Sequence, residues 1–488
     1  MGLFNVAIKG VAWSSLSTIV RSVVSLLQVS ILTDYLEKSD FGIVAIATLF
    51  IGFIQIFMDL GLSIGIIHKQ DITFEQYSSL FWFNVLSGGI LTLILIGVSP
   101  LVAKMYNEPI LIQILSLLSL CIFFSSLGNQ HRTVQQKKLR FKYISIIEIV
   151  TSLTTLGLAI GLVVNGFGIY SLVYSTIFNI LFSNLLFLCL GLYADRNIIF
   201  HFRIKDIRPF MKIGVFSVGS QVLDYFSREI DIILISATLG KETLGMYSLC
   251  KKLVMAIYSA VNPILLKVLA PLLAKLQSDI NYLRAIYYDV VETVSLVNFP
   301  LYFLVAVFSY GIIYFLYGKN YVEGAPVLSL LAIYYGYLSS VSPVGSLQTA
   351  LGRTDSGFYW TVFRIVLSVL FISVGANWGL NGIVLSLLIM SFVSAPLIWL
   401  ITVRPLIHGY FKTYFMKSFK PFVFICILSL PFYYFCGTYT SLLGIGVVSV
   451  VFVVCYLLMM SYICKDTYLM KMISKCWNFV NVRLRTLN

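Results

Sequence analysis

Apolar residues run along this chain in long blocks separated by short polar connections. A bilayer's hydrocarbon core, about 30 Å thick, needs about 20 apolar residues per helix. Fourteen segments meet that length, near 10–33, 41–66, 77–100, 110–130, 143–164, 167–192, 214–238, 244–270, 288–316, 325–351, 358–376, 379–402, 419–437 and 441–463. In the first, the polar residues Ser14, Ser17, Arg21, Ser25 and Gln28 recur at spacings of three and four, which places them on one helical face. Residues 9–42 align without a gap on residues 212–245 at an offset of 203, with Lys9/Lys212, Ser14/Ser217, Leu36/Leu239, Lys38/Lys241 and Gly42/Gly245 identical. In the seventh segment the aligned positions are Ser217, Ser220, Asp224, Arg228 and Asp231, a polar stripe in the same register.

Each copy of this pattern opens a set of six spans, and an even number per unit implies a parallel repeat about an axis along the membrane normal. The predicted fold is therefore an all-α polytopic membrane protein of about fourteen transmembrane helices. Two six-helix lobes in pseudo-two-fold repeat, 1–192 and 214–402, surround a central cleft. A basic connection, 193–213, joins them, a final helix pair occupies 403–463, and a basic tail follows at 464–488. Composition agrees: 59% of residues are hydrophobic, only 11% are charged, and the mean hydropathy is +0.93. A soluble chain of 488 residues could not bury that much apolar surface.

The charge pattern gives an orientation. With the N-terminus inside, the inside connections and tail hold twenty-four Lys and Arg, whereas the outside loops hold four: Lys38, Lys104, Lys241 and Lys319. Basic loops stay on the cytoplasmic side, so both termini are expected there. The formal charge of +14 then belongs to loops beside acidic headgroups, such as 132–142 and 196–212, rather than to a nucleic-acid surface. Eight cysteines fall in spans or in the tail, without a CxxC, which argues against disulfides and structural zinc. The first apolar stretch is too long for a signal-peptide core and lacks a cleavage site.

Charges within spans are costly and normally face a bundle interior or water. Arg21 lies mid-span with no acid on its own helix, so it either faces a cavity or pairs with an acid of another helix. In the seventh span Asp224 and Arg228 are one turn apart, in the order that favours a helical pair. Gln221 and Asp231 extend their face, while Glu229 points away. Lys252 shares a face with Ser248 and Ser259, and Lys251 can snorkel outward. Asp59 and Gln55 form a one-turn polar pair. Glu148, Lys267, Asp289 and Glu292 read as interfacial. Together the deep charges nearly cancel, so composition alone establishes no cationic cavity.

Enzyme chemistry finds little support. The outer loops are short, the four histidines (68, 131, 201, 408) all fall in inside connections, and no phosphate-binding glycine loop precedes a basic helix. Neither a metal site nor a cofactor is expected.

Several motifs carry a resemblance. Asp40-Phe41-Gly42, Asp59-Leu60-Gly61-Leu62 and Ser79-Leu80-Phe81-Trp82 with Asn84 are similar to the opening of polysaccharide-repeat-unit flippases of the Wzx type. They resemble especially the colanic-acid and teichuronic-acid exporter branch. Ser126-Leu127-Gly128-Asn129-Gln130-His131, Lys138-Leu139-Arg140-Phe141, Arg228-Glu229-Ile230-Asp231 and Leu244-Gly245-Met246-Tyr247 resemble later parts of that branch. The resemblance implies the multidrug/oligosaccharidyl-lipid/polysaccharide (MOP) exporter fold. It also implies a substrate, a polyprenyl-diphosphate-linked oligosaccharide flipped during O-antigen, capsule or exopolysaccharide synthesis, with membrane lipids around it.

Arg21, Arg228, Lys252, Gln28 and Gln221 are then the candidate diphosphate or sugar contacts. Asp231, Asp224 and Asp59 are the candidates for a coupling ion, H+ or Na+, or for a switch. A polysaccharide polymerase and chain-length machinery are candidate partners. The alternatives are a drug or cation antiporter of the same fold, a peptidoglycan-precursor (lipid II) flippase and, in a different class, a membrane glycan enzyme.

Overall fold

The computed structural model describes residues 3–69, 71–195, 199–437, 439 and 441–463. Residues 196–198 of the basic connection and the basic tail 464–488 lie outside the described residues, as do the side chains of Lys212, Ser217 and Lys267.

All regular structure among the described residues is helical. The first half holds α1 (Leu3–Leu32), α2 (Lys38–Asp59), α3 (Leu62–His68), α4 (Phe74–Tyr106), α5 (Ile110–Lys137), α6 (Phe141–Val164), α7 (Tyr170–Asp195), α8 (Ile204–Thr238) and α9 (Gly240–Lys275). The second holds α10 (Ile280–Val307), α11 (Ser309–Tyr317), α12 (Ala325–Val341), α13 (Pro343–Ala350), α14 (Thr354–Gly375), α15 (Gly379–Ile398), α16 (Arg404–Ile407), α17 (Phe411–Cys436) and α18 (Leu442–Ile463). In lipid a helix is the open-chain structure that satisfies its own backbone hydrogen bonds, so long apolar runs leave the chain little else to form.

Twelve helical stretches among the described residues are long and apolar enough to cross a membrane, so the chain is a multi-pass membrane protein but the expected fourteen spans are not confirmed. One stretch, Asp355–Ile407, takes in both α14 and α15, which turn into each other through the short 3₁₀ segment Ala376–Trp378. Helix α8 is not among the twelve. Asp224, Arg228, Glu229 and Asp231 interrupt its apolar run.

The chain forms two compact units, Met1–Leu249 and Cys250–Asn488. In the first, α5 packs against α2, α3, α4, α6 and α7. Leu111, Ile114, Leu115, Leu118 and Ile122, spaced by three and four, are fully buried along it. Small residues bring its neighbours close. A Cβ at Gly88 would press on the Ser126 side chain, and one at Gly128 on the backbone of Asn184. Helix α8 packs on α2, α3 and α4, where Ile207 and Phe210 join a core of Leu62, Ile66, Tyr77, Leu80 and Val134. The Ser79-containing motif fastens the chain entering α8. Ser78 Oγ accepts from the Ile199 amide and Ser79 Oγ from the Arg203 amide, both at 3.0 Å. Ser79 donates in turn to Asp206 at 3.0 Å, and Trp82 donates to the Ile199 carbonyl at 3.1 Å.

The start of α9 crosses the start of α2 with local two-fold character. A Cβ on Gly42 would overlap the carbonyl of Lys241, and a Cβ on Gly245 would overlap the carbonyl of Lys38. These two Gly-Lys pairs are the ones matched at an offset of 203 in the sequence, and each glycine touches the other copy's lysine. Lys241 also pairs with Glu108 at 2.7 Å.

In the second unit α10 plays the part of α5, packing on α12 and α17 with Tyr287, Phe299 and Tyr302 fully buried. Asn262 and Asn298 exchange side-chain hydrogen bonds of 3.4 Å, and Asn262 donates to Ser339 at 3.2 Å. Glu292 is buried, and with Asp289 it holds Lys417 of α17.

Candidate functional site

Five helices of the first unit turn polar residues toward a cavity of about 330 Å³, a volume within the range of small-molecule sites. Helix α1 contributes Arg21. Helix α2 contributes Gln55 and Asp59 where it ends. There Leu60 and Gly61 adopt left-handed conformations (φ 43° and 73°) that break α2 from α3. Glycine takes such a φ freely and leucine does not. The Asp59 carboxylate accepts from the Ser63 amide at 3.1 Å and from its hydroxyl at 2.8 Å. Asp59 thus caps α3 while its carboxylate also meets Asn129 Nδ2 at 3.5 Å. Helix α5 supplies Ser125, Asn129 and Arg132, α6 supplies Glu148 and Thr151, and α7 supplies Asn179, Ser183 and Asn184.

At the centre of the charge arrangement is Glu148. One carboxylate oxygen pairs with Arg21 Nη1 at 3.2 Å, the other with Arg132 Nη2 at 2.7 Å. Ser17 Oγ donates to the same oxygen as Arg21 at 3.3 Å. The Glu148 side chain is 12% exposed, whereas Arg21 and Arg132 are 50% and 40% exposed. The acid is thus enclosed while both arginine side chains keep exposed surface. Each guanidinium has five N–H donors in a planar fork, so most of that donor capacity remains outside the Glu148 contacts. Two cations, Arg21 and Arg132, and two acids, Asp59 and Glu148, make the ionisable lining formally neutral. The amides and hydroxyls around them are the hydrogen-bonding groups a sugar or an oxyanion needs.

Arg21 lines this cavity of the first unit and pairs with Glu148, an acid of another helix. Asp59 lines the same cavity. The other six expected residues lie elsewhere. Gln28, two turns along α1, donates to Ser175 of α7 at 3.3 Å. Gln221, Asp224 and Arg228 are exposed on α8, and Arg228 Nε donates to the Asp224 carbonyl oxygen at 3.4 Å. Asp231 does not share that exposure. It is 7% exposed, because Tyr247 of α9 covers the face two turns further on and donates its hydroxyl to the carboxylate. Lys252 carries exposed surface, and its neighbour Lys251 is the buried one.

Glu148 and Arg132 were not legible as site residues by position, since one read as interfacial and the other as a surface anchor. A usable signal was nonetheless present. Ser125, Asn129 and Arg132 are spaced by four and three, Glu148, Thr151 and Thr155 by three and four, and Ser175, Asn179 and Ser183 by four. These stripes are of the kind that singles out Arg21.

Comparison with known proteins agrees with the motifs. A profile of the family described as "Polysaccharide biosynthesis protein" matches residues 31–326. The lipopolysaccharide biosynthesis protein WzxC of Escherichia coli is 27% identical over 436 residues, covering 88% of this chain and 87% of WzxC. The teichuronic acid biosynthesis protein TuaB of Bacillus subtilis is 28% identical over 354 residues, covering 72% and 73%. The succinoglycan biosynthesis transport protein ExoT of Rhizobium meliloti is 23% identical, covering 85% and 81%. Among solved structures, the lipid II flippase MurJ in an inward closed conformation superposes with a TM-score of 0.74 at 15% identity, over 93% of this chain and 98% of MurJ. An inward-facing MATE multidrug transporter of the MOP superfamily gives 0.63 at 14% identity, over 80% and 98%. At those identities the structures speak for the fold alone, which this chain shares with MurJ and with the MATE transporter. With more than half of its length matched by the family profile, the chain belongs to the polysaccharide biosynthesis protein family of multi-pass membrane proteins.

Proposed function

We propose that this protein is a transporter that moves a polyprenyl-diphosphate-linked oligosaccharide repeat unit across the bacterial cytoplasmic membrane for surface polysaccharide synthesis. The observation that carries this proposal is the polar cavity of the first unit, in which Arg21 and Arg132 present guanidinium donors among amides and hydroxyls. Paired guanidiniums favour phosphate oxygens by charge and by bidentate geometry. In a low-dielectric setting that preference grows. The names of WzxC, TuaB and ExoT support a role in surface-glycan assembly.

The transport step is alternating access by the two sequence-related lobes 1–192 and 214–402, with 403–463 as an added pair and both termini cytoplasmic. Arg228, Lys252, Gln28 and Gln221 serve the glycan along its route. Asp231, with Asp224 and Asp59, serves H+ or Na+ coupling. The prenyl tail stays in lipid.

The experiment is deletion of the gene, followed by recovery of lipid-linked oligosaccharide whose leaflet is assigned by access to an added glycosidase. Complete single repeat units on the cytoplasmic side are the expected result. Unpolymerised units accumulating outside would point to a polymerase or another glycan enzyme. Lethality with lipid II retained inside would point to the peptidoglycan precursor.

A further inference from the structure

We propose that Glu148 is a built-in competitor for the substrate's diphosphate, a carboxylate that holds Arg21 and Arg132 until phosphate oxygens displace it. The idea rests on the diphosphate substrate proposed above and adds a residue and a step to it.

Three observations meet at Glu148. Its two oxygens are divided between two arginines from different helices, α1 and α5, as a bridging phosphate's oxygens would be. The Glu148 side chain is enclosed while the Arg21 and Arg132 side chains are about half exposed, and both arginines line the cavity, so an incoming anion meets the arginines first. And the ionisable lining is neutral only because Glu148 and Asp59 offset the two arginines.

Charge balance then dictates an order of events. A diphosphate carries at least two negative charges, and adding it beside Glu148 and Asp59 would leave the cavity strongly anionic. Like charges at close range repel. Moving Glu148 leaves the net charge unchanged but takes its carboxylate away from the arriving phosphates: it swings off the guanidiniums as they bind, exchanging one set of charge-assisted hydrogen bonds for another. Asp59 cannot do this, because it is fastened to Ser63 as the cap of α3. On the far side the exchange runs backwards: Glu148 returns to the arginines and drives the ligand off. The ligand-free protein then reorients with its arginines neutralised rather than as bare cations in a low-dielectric setting. Such a competitor lowers affinity and raises turnover, which is what a carrier needs if release limits its cycle.

The test uses the purified full-length protein in lipid nanodiscs, with inorganic pyrophosphate as the probe in titration calorimetry. It also uses proteoliposomes for transport of a polyprenyl-diphosphate oligosaccharide. E148Q keeps the shape of the side chain but gives up the charge. It is expected to bind pyrophosphate about tenfold more tightly than the unsubstituted protein, equivalent to losing one competing charge-assisted contact. KM and kcat for transport are expected to fall together. E148D is one methylene shorter and cannot span both guanidiniums, so its affinity rises by a smaller factor, about threefold. That variant decides the matter alone if E148Q does not fold. R132Q lowers pyrophosphate affinity.

A purely structural Glu148 predicts the opposite. Both variants would then bind pyrophosphate equally or more weakly, with a lower thermal midpoint, and the competitor role would be overturned. If the unsubstituted protein and every variant fail to bind pyrophosphate, the diphosphate substrate itself is wrong and the exchange falls with it. Binding that is unchanged by substitution sinks the competitor alone.

Discussion

Helices α1 and α8 carry aligned polar stripes, offset by 203 residues, yet the structure gives the two stripes different work. In α1 the stripe reaches into a cavity, and its cation Arg21 is held by Glu148, an acid from α6. In α8 the matched position is an acid, Asp224, and it sits exposed with Gln221 and Arg228. Two turns on, Gln28 and Asp231 also match. One reaches a serine of α7, and the other is buried under a tyrosine of α9. By contrast, the ends of the same repeat stay equivalent: Gly42 and Gly245 each rest on the other copy's lysine carbonyl. Where the two copies touch, the contact constrains both alike. Away from that contact each helix answers to its own neighbours, and its charges diverge.

The largest effects are expected at the shared contact. Gly42→Ala and Gly245→Ala each drive a methyl into a backbone carbonyl that cannot rotate away. Both should lose complementation of a deletion strain and lower the thermal midpoint by an amount corresponding to about 1–3 kcal/mol. Gly89→Ala, in α4 with nothing near its would-be Cβ, should be neutral or slightly stabilising. Unequal outcomes for Gly42 and Gly245 would break the equivalence of the two ends.

Next comes the divergence of the stripes. Arg21→Ala should reduce transport at least tenfold, in line with the loss of one charge-assisted contact to phosphate, and Arg21→Lys should retain part of it. Arg228→Ala should cost several-fold less, because Arg228 is exposed on α8 and is not among the residues that line the cavity. A larger loss at Arg228 than at Arg21 would place the diphosphate on α8 instead. Tyr247→Phe and Asp231→Asn should each destabilise by about 1 kcal/mol. Their effects should be less than additive in a double variant, because the two residues share a hydrogen bond. Gln221→Ala, on an exposed face, should stay within about 0.5 kcal/mol of the parent.

Much of the fold was legible in the sequence, because apolar length and charge placement are local properties of the chain. The helical spans could be read directly, and so could the match of Gly42 with Gly245, but not that these glycines lie against each other's neighbouring lysine carbonyls. The count of about fourteen is not confirmed, since α8 is too polar to qualify by composition and α14 and α15 run together through a 3₁₀ turn. For the site, Arg21 and Asp59 were legible as buried charges, and the structure places both on one cavity. Glu148 and Arg132 were hidden because which helix faces meet depends on how α1, α5 and α6 pack, not on position along a span. A long helix can carry a residue near its end onto a neighbour's mid-span face. The capping role of Asp59 was also hidden, since it depends on the left-handed Leu60–Gly61 break.

The central claim, that Arg21 and its cavity carry a lipid-linked glycan across the bilayer, is tested most directly in proteoliposomes. The measurement is movement of a labelled polyprenyl-diphosphate oligosaccharide from one leaflet to the other, read by glycosidase access, for the unsubstituted protein and Arg21→Ala. The account predicts movement with the unsubstituted protein and little with Arg21→Ala, while the corresponding monophosphate lipid moves poorly with either. Equal movement with both proteins would contradict it.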